Sequence, residues 1–161
     1  GLDFTTVYVP NGKQIEHDDF PRKLAWLETL ASFLASELRT ERPAIVAGDF
    51  NVCPTALDSW NEAKYSGEIF HTPEERERIG ALESAGFVDL WRALHPDLQA
   101  FSWWDYRGGA FHRKRGLRID FLLGNAAARS SLQAAEIDRD WRRKRDDLTP
   151  SDHAPVWVEL A

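Results

Sequence analysis

Gly116-Leu117-Arg118-Ile119-Asp120-Phe121-Leu122-Leu123-Gly124 is the stretch that decides the fold. An apolar, partly β-branched run between two glycines predicts a strand over 117–123. Alternation puts Leu117, Ile119 and Phe121 on one face and Arg118 and Asp120 on the other. A carboxylate inside such a strand is costly to bury unless it is paired. Two partners are open to Asp120: Arg118 on the same face, or a histidine or metal brought in from elsewhere in the chain.

Further strands are predicted on either side, at 100–104, 131–137 and 154–160. Upstream, FTTVYV at 4–9 and AIVA at 44–47 also read as strands. Phe20, Leu24, Leu27, Ala31, Leu34 and Leu38 follow helical spacing and predict one long amphipathic helix, with Pro21 in its first turn. Thr72-Pro73-Glu74-Glu75 is a capping box that starts a second helix, running to about Ala85 before Gly86. Residues 108–116 and 138–147 read as charged loops. Strands and helices alternate without a regular βαβ beat, and strands succeed one another after Ala100. That order predicts a layered α/β fold with much antiparallel sheet. Neither a dinucleotide-binding glycine fingerprint nor a phosphate loop of the G-x-x-x-x-G-K type is present.

The chain has 161 residues, enough for one domain and too few for two. No apolar run is long enough to span a membrane, and the first residues carry no secretory leader. The single cysteine, Cys53, excludes an internal disulfide and suits a reducing, cytoplasmic setting. The net charge of −6 argues against indiscriminate nucleic-acid binding. Its distribution is uneven: Trp103 to Arg145 holds 11 Lys/Arg against 5 Asp/Glu. Such a basic region on an acidic chain is a footprint for a polyanion or simply a solvated face. The chain begins with Gly and contains no Met, so it reads as processed or as a fragment.

Three segments carry chemistry. In Gly48-Asp49-Phe50-Asn51 an apolar strand runs into an acid and an amide two positions apart. Asp49 can accept a proton from water or bind a metal, and Asn51 can donate to developing negative charge. A plain turn is the competing reading. Asp120 is the second, and Asp152-His153 ahead of the last strand is the third. There the carboxylate suits a metal and the imidazole a phosphate.

Together, YVPNG at 8–12, GDFNVCP at 48–54, SWWDYR at 102–107, RGLRID at 115–120 and SDHAPVW at 151–157 resemble, in order, the exonuclease III-type apurinic/apyrimidinic endonucleases of the endonuclease/exonuclease/phosphatase superfamily. The resemblance covers nearly the whole chain. It implies a four-layered α/β-sandwich with the active site at one edge, and a metal-dependent phosphodiester hydrolase of base excision repair. Such an enzyme cuts double-stranded DNA 5′ to abasic sites, works at 3′ ends as a 3′→5′ exonuclease and 3′-phosphatase, and uses Mg²⁺ or Mn²⁺. By motif, Asp49 readies the attacking water with Asn51 as its partner amide. His153 contacts the scissile phosphate, Asp120 orients His153, and Tyr8 reaches the phosphate. Asn11 contacts the backbone, Trp103 lines the lesion pocket, and Asp49, Asn51 and Asp152 lie at the metal.

The family's domain begins well upstream of YVPNG, and its metal-binding L-Q-E segment has no counterpart here. Residues 1–161 are therefore expected to be the C-terminal portion of a single such domain, N-terminal strands missing, from a protein acting as a monomer away from membranes. Two alternatives are a superfamily phosphodiesterase acting on non-specific DNA or lipid and inositol phosphates, and a non-catalytic DNA-binding fragment.

Overall fold

The computed structural model describes residues 1–37, 41–144 and 147–161. In chain order the elements are β1 (Asp3–Tyr8), α1 (Asp19–Glu37), β2 (Ala44–Asp49), α2 (Glu62–Tyr65), α3 (Pro73–Ser84), β3 (Val88–Asp89), α4 (Leu90–Leu94), β4 (Asp120–Gly124), α5 (Ala126–Ser130), β5 (Leu132–Ile137) and β6 (Val156–Leu160). Four strands form one sheet in the order β1-β2-β4-β3, with β1 parallel to β2 and the other pairs antiparallel. The antiparallel pair β5–β6 forms the second sheet.

Alternation along β2 separates two cores. Ala44 and Val46 face Leu27 and Leu34 of α1 and Leu82 of α3. Ile45, with Leu122 of β4, faces Val156, Val158 and Leu160 of β6. The order is thus helices, sheet, sheet, as the α/β-sandwich requires. The outward side of β5–β6 is open among the described residues, with Trp157 42% exposed. At the other side β1 is a sheet edge, and its inward-facing Phe4 and Tyr8 are 58% and 65% exposed and lie outside the apolar cluster between the sheets. Among the described residues no helix is long and apolar enough to cross a membrane.

Several expectations hold in detail. Thr72 Oγ1 accepts from Glu75 N at 3.1 Å while Glu75 Oε2 accepts from Thr72 N at 3.1 Å, so the capping box starts α3. Gly86 follows its end at φ +93°.

Others are corrected. Residues 100–104 form no regular strand. Trp103 makes single bridges to Leu117 and His153, and the buried Ser102 hydroxyl accepts from the Ile119 and Asp120 amides in place of a ladder. For the same reason the strand expected at 117–123 begins only at Asp120. The buried stripe of α1 runs Phe20–Lys23–Leu27–Leu30–Leu34, with Leu24 at its margin. A lysine thus occupies a core position. Leu38, and residues 145–146 of the loop expected at 138–147, lie outside the described residues.

Candidate active site

Sheet register builds the site. Tyr8 pairs with Asp49, and Asp49 pairs with Asp120. Cross-strand partners project to the same face, so the three side chains form a row at one end of the sheet, on the side facing β5–β6. Two of them are carboxylates side by side. Burial raises the Asp49 pKa first, the Asp120 charge raises it further, and the Asn51 amide opposes both; the result is about 6.

His153 closes the row. Its Nδ1 donates to Asp120 Oδ2 at 2.9 Å, with Oδ1 at 3.1 Å. Burial works against the imidazolium, but the hydrogen bond and charge of Asp120, with Asp49 and Asp152 behind, raise the His153 pKa. Arg118 is not the partner of Asp120. Its guanidinium turns to Asp58 at 2.7 Å and Asp89 at 2.5 Å, a buried network behind the sheet. The carboxylate inside the strand is therefore paired with a histidine 33 residues away.

The Gly48–Asn51 turn is held on every side. A Cβ on Gly48, at φ +150°, would collide with the Val7 carbonyl, so only glycine lets β2 pass β1 this closely. Phe50 is fully buried and packs edge-on against Phe121 at 5.5 Å, which anchors the turn. Asn51 adopts φ +51°, a left-handed conformation that asparagine tolerates. Its amide N–H donates to Asp49 Oδ1 at 2.8 Å and its Nδ2 to Val9 O at 2.9 Å. Asn11 Nδ2 reaches Asn51 Oδ1 at 3.4 Å, linking the loop after β1 to the site.

Asp152 and Trp103 form a separate pair. The Trp103 indole N–H donates to Asp152 Oδ2 at 2.9 Å. Trp103 is half-buried and lines a cleft of about 510 Å³ with Trp60, Tyr65, Phe70 and Arg115, whose guanidinium lies 5.0 Å from the Trp60 ring. Of this adjacent pair Trp104, not Trp103, is the tryptophan in the core, 1% exposed against Phe111. Trp103→Ala should therefore cost roughly 2 kcal/mol in urea denaturation, about half the loss of a fully buried tryptophan.

Lys23 is the residue that the sequence reading passed over. Its side chain is fully buried, and its Nζ donates to Glu75 Oε1, to Asn51 O at 2.6 Å and to Asn11 O at 3.2 Å. A lysine three residues after Phe20 and four before Leu27, on the apolar stripe, was the available signal.

Among the described residues no three His, Cys, Asp or Glu side chains gather to hold a metal ion. Asp49 and Asn51 lie together, whereas the Asp152 carboxylate is engaged by Trp103. These residues do not make a complete metal site by themselves.

The raised pKa values set a pH dependence. His153 binds its proton more tightly folded than unfolded, so its stabilisation is full below pH 6.5 and is lost as pH rises through the raised value. Asp49 acts in the same direction at lower pH: folded protein keeps a proton between about 3.8 and 6 that the unfolded chain has released. In EDTA the urea midpoint should fall as the pH rises above 6.5, and this fall should shrink in Asp120→Asn.

An α/β-sandwich with a carboxylate row and a carboxylate-bound histidine at one sheet end defines the class. The chain belongs to the Endonuclease/Exonuclease/phosphatase family, whose profile matches residues 3–153. It is 35% identical over 153 residues to an exodeoxyribonuclease of Bacillus subtilis, covering 94% of this chain and 57% of that protein. To exodeoxyribonuclease III of Haemophilus influenzae it is 34% identical over 161 residues, covering 95% and 59%. Its fold matches a 3′ phosphatase from Neisseria bound to a product DNA hairpin, with TM-score 0.92, 33% identity and 98% and 60% of the two chains covered. An AP endonuclease from Archaeoglobus fulgidus gives TM-score 0.92 at 29% identity, over 99% and 62%. The chain thus spans less than two thirds of each of these relatives.

Proposed function

We propose that residues 1–161 are the C-terminal portion of one domain of a DNA-repair phosphodiesterase of the exonuclease III type. The whole protein hydrolyses DNA 5′ to abasic sites and trims 3′ ends as exonuclease and phosphatase. The carrying observation is the Tyr8–Asp49–Asp120 row closed by His153 at 2.9 Å. The shares of the relatives covered and the uncovered face of β1 support the partial-domain reading.

Above pH 6 Asp49 is ionised and takes a proton from the attacking water. His153, held protonated by Asp120, offers its remaining ring N–H to a phosphate oxygen and stabilises the charge that grows there. The exposed Tyr8 hydroxyl donates to the same phosphate, and Asn51 fixes the Asp49 carboxylate through its backbone N–H. Trp103 and its cleft receive the lesion, Asn11 and the basic residues Arg113, Lys114 and Arg115 meet the DNA backbone, and the protein works as a cytoplasmic monomer. A divalent cation, Mg²⁺ or Mn²⁺, is proposed to take Asp49, Asn51 and Asp152 from this chain. Its remaining ligands come from outside these residues.

The test is cleavage of an abasic duplex against the same duplex intact. The full-length protein at millimolar Mg²⁺ should cut the abasic strand and spare the intact one, with EDTA abolishing the reaction. The 161 residues alone should cut little. An abasic duplex left whole by the full-length protein overturns the proposal, and equal cutting of intact DNA moves it to a non-specific nuclease.

A further inference from the structure

A second cavity, of about 590 Å³, adjoins the aromatic cleft, with which it shares Asp105 and Ala110, and its size is that of a ligand pocket. Arg139, Arg142, Arg143 and Lys144 line it, with Asp105 as the one carboxylate in the wall among the described residues. That carboxylate is engaged by Arg107 at 2.8 Å. On a chain of net charge −6, four cations around one cavity mark a local reversal of sign.

Two of the four are built into the fold. Arg142 is only 7% exposed, its guanidinium stacked 4.8 Å from the Tyr106 ring and donating to Trp104 O at 3.4 Å. Its Nε is buried and has no acceptor among the described residues. A buried guanidinium N–H without a partner is costly, here as at the equally unpartnered Nε atoms of Arg78 and Arg92. Arg139 stacks 4.1 Å from the Phe111 ring and donates to Phe111 O at 3.3 Å. Among the described residues Arg143 and Lys144 pair with Asp140 and Asp147 at the exposed surface, and such pairs exchange readily for a stronger anion. Tyr106, 54% exposed, offers an aromatic face at the rim.

We propose that this cavity is a second phosphate subsite, which grips the backbone of the DNA strand whose reacting phosphate lies at His153. It rests on the nuclease reading for the identity of that strand. Thr149 and Pro150 form part of the cavity wall, and His153 follows three residues later. Three residues span at most about 10 Å, and a strand carries a phosphate roughly every 3.4 Å of helix axis. One strand therefore reaches both places within a few nucleotides. Guanidinium groups with fixed orientation suit phosphate oxygens, and the Tyr106 face suits an adjoining base or sugar.

The experiment uses the full-length protein in EDTA and reads the arginine Nε–H resonances by NMR during titration with a short abasic duplex, and separately with inorganic phosphate. The expected result is a saturable shift of the Arg142 and Arg139 signals with DNA. Arg143→Gln with Lys144→Gln, both surface changes, should weaken DNA binding about tenfold and lower the slope of log K against log salt by about 2. DNA that shifts the His153 ring but leaves Arg139 and Arg142 unmoved overturns the proposal, as does a double variant with unchanged slope. Saturation by inorganic phosphate without a response to DNA also overturns it, in favour of a small-anion site. Arginine shifts with DNA, together with a full-length protein that leaves abasic DNA whole, keep the subsite and remove only the nuclease reading.

Discussion

Asp120→Asn in the full-length protein should lower phosphodiester hydrolysis by about 10²–10³-fold while DNA affinity stays nearly constant. The reasoning starts from the strand. Asp120 opens β4 opposite Asp49, and both its oxygens face the Nδ1 of His153. Asparagine keeps the shape but removes the charge, and half of its polar edge becomes a donor facing a donor. Burial then acts on His153 with only the Asp49 and Asp152 charges to oppose it, and the imidazolium becomes less stable. Asp120 grips no phosphate in this scheme, so binding is spared. An NMR titration of the His153 ring in the 161-residue chain checks the physical premise without any activity: its pKa should drop in the variant. Full activity, or an unchanged titration, contradicts the pairing.

That pairing also marks how far the sequence could be read. Asp120 was conspicuous because a carboxylate in an apolar strand demands a partner, and Asp49 because an apolar strand ran straight into it. The local pattern leaves open Arg118 on the same face, or a histidine or a metal from elsewhere in the chain. Only the tertiary fold decides between them, by drawing Arg118 back to Asp58 and Asp89. The helices α1 and α3 and the strands β1, β2, β5 and β6 were legible because their apolar periods and caps are local. Residues 100–104 failed as a strand because a serine hydroxyl, 15 or more residues from its partners, takes the place of the ladder. The short elements α2, β3, α4 and α5 were not foreseen. They have too few residues for a period to show, and packing and single side-chain caps, such as Asn125 to Ala128 N, sustain them. Lys23 was passed over for a related reason: a charge on an apolar stripe breaks the pattern used to find the stripe.

Lys23→Met should destabilise the 161-residue chain by about 3–5 kcal/mol, and Lys23→Met with Glu75→Gln should recover at least about half of that. Both side chains are fully buried, and Lys23 has its pKa pushed down by burial while Glu75 pulls it back up. Removing the ammonium alone strands the Glu75 carboxylate without a countercharge and leaves the Asn51 and Asn11 carbonyls without their donor. An uncompensated buried charge is the expensive part of that loss. Glutamine at 75 removes the charge yet keeps an oxygen for the Thr72 cap and an amide that can donate toward the vacated carbonyls. Urea denaturation of the two variants separates the terms. A double variant as unstable as the single one would assign the loss to the Asn11 and Asn51 carbonyls rather than to the charge. A single variant within 1 kcal/mol of the parent, on the order of a surface substitution, would show that the buried ion pair contributes little. The consequence for the site follows from the same bonds. Lys23 ties α1 and the α3 cap to the turn that carries Asp49, and it donates to the carbonyl of the left-handed Asn51. Losing it should loosen that turn, lowering protection of the Asn51 amide in hydrogen exchange more than that of the β4 amides.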